Sequence, residues 1–186
     1  MTLLPAAPAP GRYLSFDPTA EINGDSVGAV VAGIFVPALG QELLARQGLP
    51  ATPQPGQWYP MQAWLNLLAE AEDRLGALTL YQTGVLMVDH GVFPTGMPSL
   101  LSALQALDGV CRANVRGHDM GHYRVEEAGA RRLLMHRRTP HPPEFERGVV
   151  TGLARRYKPA EAVRLLVEVH LGAVATAYET TFLITW

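Results

Sequence analysis

Cys111 is the residue whose chemistry is easiest to place, because it is the single cysteine of the chain. It shares a helical stripe with Leu100, Leu104, Leu107 and Val115, so its thiol is expected to face inward. A thiolate there could ligate iron or be acylated, whereas burial among apolar groups makes a thiol an inert small hydrophobe. A lone cysteine excludes an internal disulfide and a multi-cysteine zinc site, and fits a reducing compartment. His118 and His122 flank Asp119 in RGHDMGHY, but Gly117 and Gly121 make that stretch a turn and a further ligand is missing, so no metal site is expected.

His136 and His170 fall on expected strands and would meet if those strands lay side by side; hydrogen-bonded or surface histidine is the plainer reading. The pairs Arg131-Arg132 and Arg137-Arg138 offer guanidinium forks that match a carboxylate or phosphate. Alternation puts Arg137 and Arg138 on opposite faces, so at most one can enter a pocket, and a solvated face is the expectation. Glu70, Glu72 and Asp73 fall on the outer face of a helix. No nucleophile sits beside a base, and no G-x-S-x-G, Walker loop or G-x-G-x-x-G occurs, so an enzyme is not expected.

These residues must be held by one domain, since 186 residues with 48% hydrophobic and 17% charged content leave little room for a second. A net charge of -2 and a pI near 6.3 provide no cationic surplus for a phosphate backbone, which argues against nucleic acid as a partner. The start MTLLPAAPAPGR lacks the pattern of a secretion signal, and a cytoplasmic location is expected. The most apolar stretch, from Val27 to Leu39, contains Gly33 and Pro37 and is too short for a membrane span.

Along the chain, residues 1–23 read as an irregular arm and residues 24–186 as one α+β domain, helical over 24–116 and sheet-forming over 117–186. Val27, Val30, Val31, Ile34, Phe35 and Leu39 predict a first helix, capped near Asp25 or Ser26, kinked at Pro37 and ended by Gly48. Trp64, Leu67, Leu68, Ala71 and Leu75 predict a second helix ending at Gly76; a third runs from Leu78 to Val88, and a fourth begins near Pro98 and carries the Cys111 stripe. After Arg116 the period switches from helical to alternating. Tyr123 and Val125 open a strand, Ala128-Gly129 turns it, and Leu133 and Met135 line the next. A helix with Phe145, Val149, Leu153 and Tyr157 on one face follows, its Gly148 and Gly152 allowing close approach to the sheet. Strands through Val163 to Val169 and Tyr178 to Trp186 close the chain.

The words VGAVVAGIFVPALGQELLARQGL, WYPMQAWLNLL, LYQTG, HYRVEEAGARRLLMHRRTPHPPEFERGVVTGLARRY, VEVHLG and YETTFLITW, in this order, resemble one superfamily. It includes the haem nitric oxide/oxygen-binding (H-NOX) domains, the four-vinyl-reductase ligand-binding domains, the core subunits of the TRAPP complex and a bacterial paralogous family. The resemblance covers about residues 24–186 and implies N-terminal helices packed on a four-stranded antiparallel sheet with an inserted helix, enclosing a pocket. In H-NOX domains that pocket holds haem through a histidine on the helix before the sheet. The resemblance puts Cys111 at that place in LQALDGVCRANVRG, and Arg137, Thr139 and His141 at the positions of a Tyr-x-Ser-x-Arg motif that binds the haem propionates. All four identities differ from the family's own.

The expected function is therefore a non-catalytic, bacterial ligand-binding or sensor module with an apolar pocket and no cofactor. From periodicity, its lining is expected to include Val30, Ile34, Phe35, Trp64, Leu104, Leu107, Cys111, Met135 and Phe182. The expected ligand is a small apolar molecule or an acyl chain, and the output passes through a separate signalling partner. Two alternatives stand beside it: a haem-binding gas sensor with Cys111 as axial ligand, and a scaffold or oligomerisation module, such as a homodimer, with no small-molecule ligand, whose aromatic C-terminal strand lies at a sheet edge.

Overall fold

Two antiparallel sheets and the helices between them organise the chain in a computed structural model, which describes residues 11–34, 36–90, 93, 95–170 and 176–186. In chain order the elements are β1 (Glu21–Asn23), α1 (Gly24–Gly33), α2 (Pro37–Arg46), β2 (Trp58–Pro60), α3 (Met61–Leu75), α4 (Ala77–His90), α5 (Leu100–Gln105), α6 (Leu107–Asn114) and β3 (Val115–Arg116). They continue with β4 (His122–Gly129), β5 (Arg132–Arg138), α7 (Pro143–Arg156), β6 (Leu166–Val169) and β7 (Glu179–Thr185). The larger sheet has the order β4-β5-β7-β6, and the smaller one, which periodicity did not reveal, the order β2-β1-β3. The α+β architecture expected from the period switch at Arg116 is the one observed.

The first predicted helix is two helices. Ile34 is extended (φ -85, ψ 104), and Pro37 begins α2 instead of kinking a continuous element. Proline has no N–H to bond the preceding turn, and its fixed φ suits a first helical position. The Cys111 helix is likewise divided into α5 and α6, and Val115 leaves it to pair with Ile22 in β3. Ser99 starts α5 with a reciprocal capping box to Ser102.

Gly148 and Gly152 do permit a close approach, but to α4 instead of the sheet. A Cβ at Gly148 would stand 2.0 Å from the Tyr81 carbonyl oxygen, and one at Gly84 would stand 2.1 Å from that of Phe145. Two helix backbones are thus in direct contact, a separation that only glycine allows. The pairing brings the first turn of α7 to the centre of the molecule, where Trp64 meets Phe145 edge to face at 5.6 Å.

The C-terminal strand β7 is internal: it pairs with β5 on one side and β6 on the other, and the Trp186 N–H donates to the Arg131 carbonyl. This removes the edge-pairing surface expected for a scaffold, because both sides of β7 already have backbone partners. It also separates His136 from His170: His136 stands opposite Thr181 of β7, and β6 is the strand beyond. β6 is shorter than expected, with Val163 98% exposed ahead of it. Among the described residues no helix is long and apolar enough to cross a membrane.

Candidate functional site

Strand β5 alternates strictly, so Leu133, Met135 and Arg137 turn inward while Arg138 reaches the surface. Arg137 is 2% exposed, against the expectation of a solvated arginine face. Its Nη1 donates to the Thr139 hydroxyl (2.9 Å) and the His141 carbonyl (3.0 Å), and its Nη2 to the Ala177 carbonyl (3.1 Å) and the Thr180 hydroxyl (3.2 Å). Beyond β5, the prolines at 140, 142 and 143 end the extended run and start α7, whose first turn carries Glu146.

Glu146 is the centre of a buried polar cluster. Its Oε1 accepts from Thr139 Oγ1 (3.1 Å), Tyr123 Oη (2.5 Å) and His141 Nδ1. Tyr123, from β4, in turn accepts from the Cys111 thiol of α6 at 3.6 Å. A short chain of contacts therefore runs from sulfur to phenol to carboxylate to imidazole. Burial works against the Glu146 charge, but His141, Arg137 and the Tyr123 hydroxyl together hold its carboxyl below the usual carboxylate range. Burial, reinforced by the Glu146 charge, pushes the Cys111 thiol up to about 12, so the sulfur is protonated at neutral pH. Tyr123 is raised by burial and by the adjacent Cys111 and Glu146.

Beside this cluster lies a cavity of about 50 Å³. Its walls come from β1 and α1 (Ile22, Ser26), α3 (Trp64), α4 and the following loop (Met87, Phe93), and α6 with β3 (Leu107, Val110, Cys111, Asn114, Val115). Tyr123, His141, Phe145, Glu146 and Val149 complete them. Most of this lining is apolar; Cys111, Tyr123, His141 and Glu146 form one polar group, and Ser26 and Asn114 lie apart from it, bonded to Asn23. Three buried polar atoms on wall residues have no hydrogen-bond partner among the described residues: Trp64 Nε1, His141 Nε2 and Glu146 Oε2. Arg137 Nε is a fourth such atom, on a residue outside the wall. Buried polar atoms without partners are uncommon enough to demand a cause.

Of the residues expected to line a pocket, Trp64, Leu107 and Cys111 come together around the cavity. Val30, Ile34, Leu104, Met135 and Phe182 are fully buried in the core and are not among the lining residues. Phe35 lies outside the described residues. Residues that sequence reasoning did not assign to a pocket include Ile22, Val110, Tyr123, Phe145, Val149 and, above all, Glu146. The spacing of Glu146 with Val149, Val150 and Leu153 is a signal for it, since i+3, i+4 and i+7 place an acid on the buried helical face. The other titratable groups are disposed as follows: His118 and His122 are exposed, Asp119 pairs with Arg138, and Glu70 and Glu72 bond Arg46 and Arg12. No group of three or more metal-ligating side chains occurs among the described residues.

No protein-family model matches the chain, and no curated protein matches it in sequence. Solved structures do match in fold. An oxygen-binding H-NOX domain related to soluble guanylate cyclases, in its oxygen complex, is 13% identical with a TM-score of 0.66, over 88% of this chain and 94% of that one. A single-substitution variant of the T. Tengcongensis H-NOX domain is 12% identical with a TM-score of 0.67, over 88% and 97%. A structure described as modulating haem redox potential through protein-induced porphyrin distortion is 12% identical with a TM-score of 0.66, over 89% and 100%. The fold is therefore H-NOX-like, as the resemblance implied.

Proposed function

We propose that this chain is a non-catalytic sensor module that holds a small molecule other than haem in the cavity beside Cys111 and passes its occupancy to a separate protein partner. The carrying observation is a hollow walled by several elements whose lining residues include three unpartnered buried polar atoms. A hollow of about 50 Å³ exceeds the ~10–15 Å³ that one water needs and falls below the ~150 Å³ of a cavity that takes benzene. It is far smaller than the ~300–1,000 Å³ of pockets for drug-sized organic ligands.

Haem does not fit these residues. Beyond the volume, the iron-binding form of cysteine is the thiolate, and the Cys111 thiol is held protonated beside Tyr123. Arg137, Thr139 and His141, at the positions where the resemblance expects a propionate clamp, are bonded instead to one another and to Glu146. Glu146 takes the Thr139 and His141 contacts, and the chain's own carbonyls and hydroxyls take those of Arg137, that a ligand's carboxylate would need. The same facts support a non-catalytic reading, since the one thiol is neutral and one Glu146 oxygen already accepts three bonds. The sensor role belongs to the proposal and is supported by the fold shared with an oxygen-binding H-NOX domain related to soluble guanylate cyclases.

Two measurements on the purified protein test this. Xenon, which enters dry protein cavities, should give a saturable 129Xe NMR shift that Cys111→Leu abolishes by filling the space. Haem addition should give no Soret band that depends on residue 111. A Soret band lost in Cys111→Ala would make the haem sensor the better account, and exclusion of xenon would end the pocket reading.

A further inference from the structure

The larger sheet has two edges, β4 and β6, and β4 is the longer, with 8 residues against 4. The ladder shows which of its backbone groups point outward. The Thr139 N–H donates to the Tyr178 carbonyl and the Trp186 N–H to that of Arg131, so the odd-numbered residues of β5 exchange their bonds with β7. Its even-numbered residues therefore bond β4, at His122, Arg124 and Glu126. Tyr123, Val125 and Glu127 are left with N–H and C=O directed away from the sheet. In keeping with that direction, the Tyr123 N–H donates to Asp108 of α6 at 3.0 Å. Val125 and Glu127 have no backbone hydrogen bond on that side among the described residues.

Such an edge can accept another strand, and its charges discriminate between strands. Arg124 is exposed and pairs with Glu126 at 3.2 Å, while Glu126, half-buried, also lies 3.3 Å from His136 Nε2. A second β4 laid antiparallel on the first must set outward-directed residues opposite one another, odd against odd. With Val125 opposite Tyr123, Arg124 faces Arg124. With Val125 opposite Glu127, Glu126 faces Glu126. With Val125 opposite Val125, each Arg124 faces Glu126 of the other copy. Like charges directly opposite destabilise a sheet and unlike charges stabilise it, so one register is favoured over its neighbours. The register shift between Glu127 and Gly129 ends the regular edge just beyond this segment, which keeps the contact short.

We propose that β4 pairs antiparallel with β4 of a second copy of this chain, centred on Val125, so that the two four-stranded sheets become continuous. The two Val125 residues exchange their backbone bonds, and each Glu127 N–H reaches the Tyr123 carbonyl of the other copy. Arg124 and Glu126 select the register. This interface does not depend on the cavity or on what fills it.

Sedimentation equilibrium of the purified chain tests the pairing. The wild type should show a monomer–dimer equilibrium with a Kd of about 0.1 mM, as suits a contact smaller than a standard interface. Arg124→Glu sets carboxylates against each other in both charge pairs, and Glu126→Arg sets guanidiniums against each other, so each variant alone should dimerise about ten-fold or more weakly. Mixed in equal amounts, the two variants should dimerise with each other, because every facing pair is then a glutamate against an arginine. Val125→Pro removes the central donor without touching the bonds to β5 and should abolish the dimer, with the far-UV spectrum unchanged. A wild type that stays monomeric at about 1 mM would overturn the proposal and leave the edge to a strand of some other protein. A dimer that tolerates Val125→Pro, or reversed variants that do not recover on mixing, would overturn it as well. Should the proline variant lose its fold, the two charge variants, altered on the solvent-facing side of the sheet, decide the matter alone.

Discussion

The α4–α7 contact and the Glu146 cluster are neighbours on α7 yet are built on opposite terms. At the first, glycines at 84 and 148 bring two backbones so close that a single Cβ on either would overlap a carbonyl oxygen. At the second, a few residues away, α7 turns a carboxylate into the interior, surrounds it with donors and leaves one of its oxygens without a partner beside a hollow. The hollow is therefore not a consequence of loose packing along α7. Close packing is achieved where stability alone is at stake, and the gap appears where polar atoms converge. The tight contact fixes where α7 lies, and so fixes Glu146 against Tyr123 and His141.

The largest effect is expected at the carboxylate. Glu146→Ala leaves Arg137 and His141 buried without their anion and should cost about 3–5 kcal/mol in urea denaturation at neutral pH. Glu146→Gln keeps the shape and should cost less. Because the folded carboxyl sits below its ordinary range, its stabilising contribution is complete above the usual carboxylate pKa and is lost as pH falls through the folded value. The acid limb of the stability profile should therefore be flatter in Glu146→Gln, and an unchanged limb would remove Glu146 from the electrostatic centre.

Next in size, Gly148→Ala forces α4 and α7 apart and should destabilise by about 2–3 kcal/mol. If the helix contact positions the cluster, the same variant should alter the 129Xe shift although residue 148 does not line the cavity. Cys111→Ala enlarges the hollow and should cost about 1 kcal/mol. It should also flatten the alkaline limb: with a folded value near 12, the thiol's contribution is lost between the unfolded value of about 8.5 and that point. The smallest effect has the opposite sign. Gly28, inside α1, has no neighbour within 4 Å of an added Cβ, so Gly28→Ala should stabilise by about 0.5–1 kcal/mol, the reverse of Gly148→Ala in calorimetry or urea denaturation.

How much was legible before folding differs between these regions. The inward stripe through Leu104, Leu107 and Cys111 is visible as spacing, and Cys111 does line the cavity. The alternation of β5 separates Arg137 from Arg138, but spacing alone favours water for both and cannot show that the interior supplies five acceptor contacts for one of them. Glu146 carries an internal-face signal, yet an acid there reads as a capping or surface group until its partners, 5, 7 and 23 residues away, are known. The two-residue β3 and three-residue β1 and β2 are too short to show a period at all.

By itself the sequence determined the main helical segments and the strands of the larger sheet, where one regime gives way to the other, and that a single thiol faces inward. Those properties follow from backbone preference and from the local period of apolar side chains, which neighbours a few positions apart already fix. Only the tertiary structure decided that β7 lies between β5 and β6, that the glycines of α7 meet α4, and that Trp64, His141 and Glu146 share one small hollow. Each of these depends on the closure of loops between distant segments, where many arrangements satisfy the same local pattern and only the packing of the whole selects one.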